Sequence, residues 1–174
     1  GTVLVPLNDL GTLERALQRR DIAVVLTEPA LTNNHGLILP DDAWHEGLRA
    51  MTTASGTLLA IDETHTQVVG PGGLTAAWGL TPDLLTIGKS IAGGVSFGAW
   101  GMTEAIADIL TQTKGPDGER ADLVALGGAL FANALSMAAA RAVLTEILTP
   151  EAYASTQRLG ARLADGMRAA VERT

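Results

Sequence analysis

Short hydrophobic runs alternate along the chain with segments of helical periodicity. The runs at residues 22–26, 57–61 and 84–87 are nearly continuous in apolar side chains, a pattern typical of strands buried on both faces of a sheet. Weaker runs at 3–7 and 97–102 predict two further strands. Strands of this kind, separated by helices, indicate an α/β fold with a mostly parallel sheet flanked by helices.

The spacing of apolar residues, together with residues typical of helix ends, predicts the helical segments. Leu13, Ala16 and Leu17 share one helical face, and Pro40 followed by two aspartates suits the first turn of a helix. Polar and glycine-rich stretches at 28–36, 70–73 and 113–119 predict turns or loops. The predicted helices span residues 11–20, 40–53, 103–110, 133–148 and 150–172.

Composition and charge exclude several classes of binding partner and indicate a globular protein. The 174 residues are 47% hydrophobic, enough for one globular domain or a large part of one. The net charge of −7, without a cluster of lysine or arginine, argues against nucleic acid or an anionic membrane as partner. We find no apolar run of membrane-spanning length and no signal-like opening segment, so a cytoplasmic location is expected.

The cysteine and histidine content of the chain argues against thiol chemistry and metal sites. The chain has no cysteine, which excludes disulfides, thiolate metal sites and cysteine nucleophiles. Its three histidines, at positions 35, 45 and 65, are too far apart in sequence to form a spaced metal motif. No metal site is therefore expected.

The segment TIGKSIAGG, residues 86–94, places a single lysine after a predicted strand. A phosphate-binding P-loop would need a glycine five residues before the Gly88-Lys89 pair, but that residue is Asp83. The P-loop is thus disfavoured. Two interpretations of Lys89 remain, a catalytic amine and a solvated surface cation.

Asp62 and Lys89 each follow the carboxyl end of a predicted parallel strand, where ligands of such sheets bind. A lysine and a carboxylate placed together suit pyridoxal 5'-phosphate, because the amine condenses with the aldehyde and the acid keeps the pyridine nitrogen protonated. Spacing alone leaves the alternative open, since an acidic residue at a strand end is often a cap and a lysine there is often solvated.

Four segments together resemble the class III aminotransferases, a family that includes glutamate-1-semialdehyde aminomutase. They are TEPALTNNHGLILP at 27–40, LLAIDETHT at 58–66, PDLLTIGKSIAGGVSFGAWG at 82–101 and GGALFANALSMAAA at 127–140. The resemblance implies the fold type I large domain of a pyridoxal-phosphate enzyme, and it covers only the middle of a family member. It divides the chain into a partial cofactor-binding domain at 1–148 and a helix at 149–174 that leads toward an absent C-terminal small domain.

The resemblance also assigns roles to the residues around the aspartate. By position, Lys89 is similar to the Schiff-base lysine and Asp62 to the partner of the pyridine nitrogen. Glu63 completes the family's Asp-Glu pair, and Thr64 stands where the family more often has a valine that packs on the ring. His65 lies where the next residue reaches the ring hydroxyl; it either donates to that hydroxyl or bonds to the backbone.

A second group of residues is expected at the phosphate. In the family a glycine-containing loop brings a threonine to the phosphate of the neighbouring subunit's cofactor, which implies a homodimer. Gly128 matches this loop, but Ala129 replaces the threonine and has no hydroxyl to offer. Glu28 matches the family's Glu-Pro strand end, and a turn cap is the alternative for it.

The activity implied is a transaminase that moves an amino group from a small-molecule amino donor to a keto or aldehyde acceptor. Two alternatives stay open. One is an aminomutase that moves the amine within one substrate, and the other is a non-catalytic, incomplete large domain, which the missing segments and Ala129 favour.

Overall fold

The computed structural model describes residues 1–33, 36–112, 128 and 131–173. Strands and helices alternate along this part of the chain. The strands are β1 (Val24–Thr27), β2 (Leu31–Asn33), β3 (Gly36–Ile38), β4 (Leu58–Asp62), β5 (Leu84–Gly88) and β6 (Gly98–Met102). The helices are α1 (Leu10–Leu17), α2 (Trp44–Ser55), α3 (Gly73–Ala77), α4 (Glu104–Gln112), α5 (Ala134–Ala142) and α6 (Pro150–Val171), with short 3₁₀ helices at Thr66–Val69 and Lys89–Ala92 and a π-helical turn at Val143–Ile147.

The main sheet has the strand order β1-β4-β5-β6. β1, β4 and β5 run parallel, whereas β6 pairs with β5 in the antiparallel direction. The register places Thr27 beside Ile61 and Asp62 beside Thr86, so the carboxyl ends of the three parallel strands share one edge. This confirms the predicted α/β fold with a mostly parallel sheet.

The core lies where α1 and α2 pack against the sheet. Asp9 caps α1 by accepting from the Thr12 backbone N–H at 2.8 Å, and Gly56 ends α2 in the left-handed conformation that glycine tolerates. Six buried apolar side chains form the centre of this core: Leu13, Leu17, Trp44, Leu48, Leu59 and Ile61. β4 is therefore fixed by the packing of Leu59 and Ile61 in this core, and its carboxyl end, at Asp62, lies at the edge of the sheet.

Three expectations at the element level were wrong. Residues 3–7 form no strand, because they pair with no neighbour in the described part of the chain and Pro6 has no N–H to donate. α2 begins at Trp44 rather than Pro40, since the two preceding aspartates form a turn in which the Asp41 carbonyl accepts from the Trp44 N–H. The helix expected at 133–148 changes at Val143 into a π-helical turn.

Two further features bear on the predicted division of the chain. α6 is capped by Thr149, and Gln157 on it donates to the Val69 carbonyl at 3.0 Å. The proposal that this helix leads toward a C-terminal small domain stays a prediction.

The loop expected at 113–119 lies outside the described residues. Among the helices that are described, none is long and apolar enough to cross a membrane.

Candidate active site

Three acidic or basic side chains come together at the carboxyl edge of the parallel strands. Glu28 follows β1, Asp62 ends β4 and Lys89 follows β5. Because β4 and β5 are adjacent parallel strands with Asp62 paired to Thr86, Asp62 and Lys89 lie at neighbouring strand ends, and their joint role at a cofactor stays a prediction. A cavity of about 710 Å³ runs beside β1 and is lined at one end by Glu28 and Asp62.

Asp62 is a half-buried carboxylate with local donors. Its Oδ1 accepts from the Thr64 backbone N–H at 2.9 Å and from the Thr64 hydroxyl at 2.7 Å. Burial acts to raise the pKa of Asp62, but the hydrogen bonds from Thr64 and Thr86 and the charge of Lys89 outweigh it, so the pKa lies below its ordinary 3.8. The carboxylate thus stays ionised near neutral pH.

This hydrogen bonding gives a prediction for Thr64→Val. Removing the hydroxyl deletes one of the bonds that lower the pKa of Asp62, so the pKa should rise, while Thr64→Ser should leave it near the wild-type value. Because the folded pKa is depressed, the stability that Asp62 contributes is present above the unfolded pKa and is lost as the pH falls through the folded one. Carboxyl ¹³C titration of the three proteins measures the shift; equal pKa values in the Val and Ser variants would contradict it.

Lys89 is presented on an unusual backbone. It has a φ of 50°, which is uncommon for a residue with a side chain, and it is exposed at the start of the 3₁₀ helix that follows β5. A strained conformation at a strand end is a common feature of functional residues. The turn places Lys89 directly after β5, at the carboxyl edge of the sheet.

The side chain of Gln67 is hydrogen-bonded to this turn, and the sequence did not predict Gln67 as a site residue. Its side-chain amide is buried and donates to the Gly88 carbonyl and to the Ser90 hydroxyl, on either side of Lys89. The Thr64 methyl lies close to Gly88, at 3.2 Å from where a Cβ would stand. The aspartate loop, residues 62–67, and the turn at residues 88–90 are therefore packed against each other. Only the pairing of β4 with β5 brings Gln67 to this place, and sequence spacing gave no signal of it.

Glu63 is buried, with 1% of its surface exposed. Its two carboxylate oxygens accept from the Thr66 hydroxyl and from the Thr75 backbone N–H. Gly73 approaches the same carboxylate so closely that an added Cβ would lie 2.5 Å from an oxygen. These partners give Glu63 a structural role in joining the 3₁₀ helix to α3, and its contact with a cofactor stays a prediction.

His65, the last residue of the predicted set on this loop, lies beside Glu28. Its Nδ1 is 2.6 Å from the Thr32 hydroxyl and 3.3 Å from Glu28 Oε2. The Thr32 hydroxyl in turn lies 2.5 Å from the same Glu28 oxygen. His65 is thus bonded to side chains of the neighbouring strand end, not to the backbone.

The predicted phosphate loop is not brought to this edge by any described contact. Gly128 is exposed, and its carbonyl accepts from the Phe131 N–H at 2.9 Å. Ala129 lies outside the described residues. Asn133 caps α5 by accepting from the Ser136 N–H.

Asp83, the residue that argued against a P-loop, has a structural role. It accepts hydrogen bonds from the Leu59 backbone N–H and from the Arg49 side chain.

The sequence profile described as Aminotransferase class-III matches residues 4–174, nearly the whole chain. The chain belongs to the class III aminotransferase family. A glutamate-1-semialdehyde 2,1-aminomutase of Akkermansia muciniphila is 39% identical over 175 residues, which is 99% of this chain and 39% of the relative.

Solved structures of the family share this arrangement of elements. A glutamate-1-semialdehyde aminomutase from Pseudomonas aeruginosa in complex with PMP is 41% identical with a TM-score of 0.88, covering 99% of this chain and 38% of that one. A transaminase with PLP bound is 30% identical with a TM-score of 0.83, covering 99% and 39%. The chain thus spans under two fifths of the length of these two proteins.

Proposed function

We propose that this class III chain forms the cofactor-binding part of a pyridoxal-phosphate-dependent enzyme that transfers an amino group between small molecules. The observation that carries the proposal is the position of Asp62 and Lys89 at the carboxyl ends of two adjacent parallel strands, β4 and β5. The two relatives solved with PMP or PLP support the choice of cofactor.

The residues present fit this cofactor chemically. Pyridoxal phosphate supplies an aldehyde and, when its ring nitrogen is protonated, a strong electron sink. Asp62 is ionised by its surroundings, and it would hold the proton on that nitrogen. Lys89 Nζ, exposed on its turn, would bind the aldehyde carbon and, after the substrate amine displaces it, would carry a proton to and from the substrate. Thr64 orients Asp62 through its two hydrogen bonds to Oδ1.

The remaining assignments belong to the same proposal. Glu63, His65, Gly128 and Ala129 are proposed on family resemblance to lie in or beside the cofactor site of the complete enzyme. A homodimer is proposed on the same ground, and it agrees with the large apolar side chains that α6 leaves exposed in the described part of the chain, Leu159, Leu163 and Met167 among them. A cytoplasmic location is proposed from the sequence, in which we found no membrane-spanning run and no signal-like segment.

Intramolecular transfer is the second candidate, because the Akkermansia and Pseudomonas relatives are both aminomutases. The two activities differ in whether a second compound must supply or accept the amine. Incubating the loaded enzyme with glutamate-1-semialdehyde alone separates them: steady conversion to the isomer with the amine on the neighbouring carbon indicates an aminomutase, and a requirement for a separate donor or acceptor indicates a transaminase.

The proposal is tested by loading the chain with pyridoxal phosphate and adding amino donors. We expect a visible absorbance band on loading, abolished by borohydride, and its loss when a donor converts the cofactor to the amine form. A chain that gives no band, or a band that no donor changes, would contradict the proposed activity and favour a non-catalytic large domain.

A further inference from the structure

The buried side chain of Gln67 is hydrogen-bonded on both sides of Lys89. Gln67 lies in the 3₁₀ helix Thr66–Val69, and 8% of its surface is exposed. Its Nε2 donates to the Gly88 carbonyl, before Lys89, and lies 3.3 Å from the Ser90 hydroxyl, after it. We call residues 88–90 the lysine turn. One amide group thus contacts this turn at both ends.

The same amide also contacts the aspartate loop. Gln67 Nε2 lies 3.3 Å from the carbonyl of Thr64, whose own N–H and hydroxyl donate to Asp62. A carbonyl oxygen only accepts, so the amide nitrogen and not the amide oxygen must face Thr64 and Gly88. Gln67 therefore joins the loop that carries Asp62 to the turn that carries the lysine.

The bond to the Gly88 carbonyl bears directly on the backbone of Lys89. That carbonyl belongs to the planar peptide group that contains the Lys89 nitrogen, and φ of Lys89 is the rotation about the bond from this nitrogen to Cα. Lys89 has a φ of 50°. Relaxation to the ordinary helical value of about −60° would turn the Lys89 side chain by about 110° relative to this peptide group. A bond that fixes the peptide group therefore helps to fix the direction of the Lys89 side chain.

The other end of the Gln67 amide argues against a role in filling space alone. Gln67 Oε1 is buried, and no described residue donates a hydrogen bond to it. An unpaired buried oxygen costs free energy, and a methionine of similar length would fill the same space without that cost. The bonds made by Nε2 are therefore what a glutamine supplies at this position.

We propose that Gln67 is a positioning residue that holds the lysine turn in its left-handed conformation and at a fixed place relative to Asp62. This rests on the proposed function, in which the Lys89 amine captures the aldehyde of the cofactor. Gln67 acts through the backbone on either side of Lys89. Without its amide the turn samples other conformations, and the amine is placed for capture during a smaller share of the time.

The first test reads the turn in the chain without cofactor, by cleavage with a protease specific for lysine. The chain has two lysines, Lys89 and Lys114, so the cut after Lys114 is an internal reference. Gly88 and Ile91 are buried, so the protease cuts after Lys89 only when the turn opens, at a rate that follows the population of the open form. Gln67→Met should raise the initial rate of this cut relative to the reference by about two- to tenfold, the worth of one hydrogen bond.

Gln157→Met is the matched control, because Gln157 also donates to a backbone carbonyl, that of Val69, but is exposed on α6. It should leave the cleavage ratio unchanged. Ser90→Ala, which removes only the hydroxyl contact, should raise the ratio less than Gln67→Met does.

Urea unfolding separates opening of the turn from loss of global stability. The free energy of unfolding of Gln67→Met should stay close to wild type, because removal of the unpaired oxygen offsets the lost hydrogen bonds. An unchanged cleavage ratio in Gln67→Met, or a rise that its loss of global stability fully accounts for, would overturn the proposal.

Capture of pyridoxal phosphate separates this inference from the proposed function. The rate of covalent capture at Lys89, measured by stopping samples with borohydride, should fall about two- to tenfold in Gln67→Met and stay unchanged in Gln157→Met. Equal rates in the two variants would overturn the role of Gln67 in placing the amine. Absence of capture by the wild-type chain would contradict the proposed function, while the cleavage ratio still decides whether Gln67 holds the turn.

Discussion

Lys89→Ala and Lys89→Arg are both expected to abolish covalent capture of pyridoxal phosphate, whereas Lys114→Ala leaves it intact. Only a primary amine condenses with an aldehyde, and the chain has just these two lysines. Borohydride reduction followed by peptide mapping therefore gives a clear result. The arginine variant keeps a positive charge beside Asp62, so it separates the loss of the amine from the loss of the charge.

The fold should survive both changes. Lys89 is exposed, and its left-handed φ of 50° costs alanine and arginine about as much as it costs lysine. Circular dichroism and the thermal midpoint of unfolding should stay close to wild type in each variant. A borohydride-stable adduct that persists in Lys89→Ala, at Lys114 or at the N-terminal amine, would show that Lys89 is not the site of capture.

The strands that carry the site were predictable from the sequence because each is a continuous apolar run. The runs at 57–61 and 84–87 gave β4 and β5 within one residue at each end, and with them the positions of Asp62 and Lys89. The antiparallel direction of β6 was not predictable, since a strand buried in a sheet reads the same in either direction. The weaker run at 3–7 also predicted a strand and forms none, because pairing depends on a partner and not on composition.

The residues around the site were less predictable than the strands. Successive side chains of an extended segment point to opposite sides, so Glu63 turns inward to Thr66 and Thr75 directly after Asp62 faces the sheet edge. The hydrogen bond between Thr32 and His65 joins residues 33 positions apart, and the one from Gln67 to Gly88 joins residues 21 positions apart. Such contacts arise from the order β1-β4-β5, which motif spacing does not specify.

The buried carboxylate of Glu63 keeps its position only because residue 73 is a glycine. Its φ of +64° suits glycine, and an added Cβ would lie 2.5–2.8 Å from the carboxylate atoms of Glu63. Gly79 has the same φ of +64° but open space around its missing Cβ. The two glycines therefore differ in crowding and share the same φ, which makes Gly79 the matched control.

Gly73→Ala should lower the free energy of unfolding far more than Gly79→Ala. Both variants carry the left-handed strain of about 1–2 kcal/mol. Gly73→Ala adds about 1–3 kcal/mol of overpacking, and if Glu63 moves aside it also loses hydrogen bonds to a buried charge of about 1.5–3 kcal/mol. Urea unfolding of the wild type and the two variants measures the difference. Because Glu63 directly follows Asp62, the same movement should weaken cofactor capture at Lys89 in Gly73→Ala alone. Equal destabilisation by the two substitutions would show that the buried carboxylate has room to shift, and that the Glu63 contacts do not hold the aspartate loop in place.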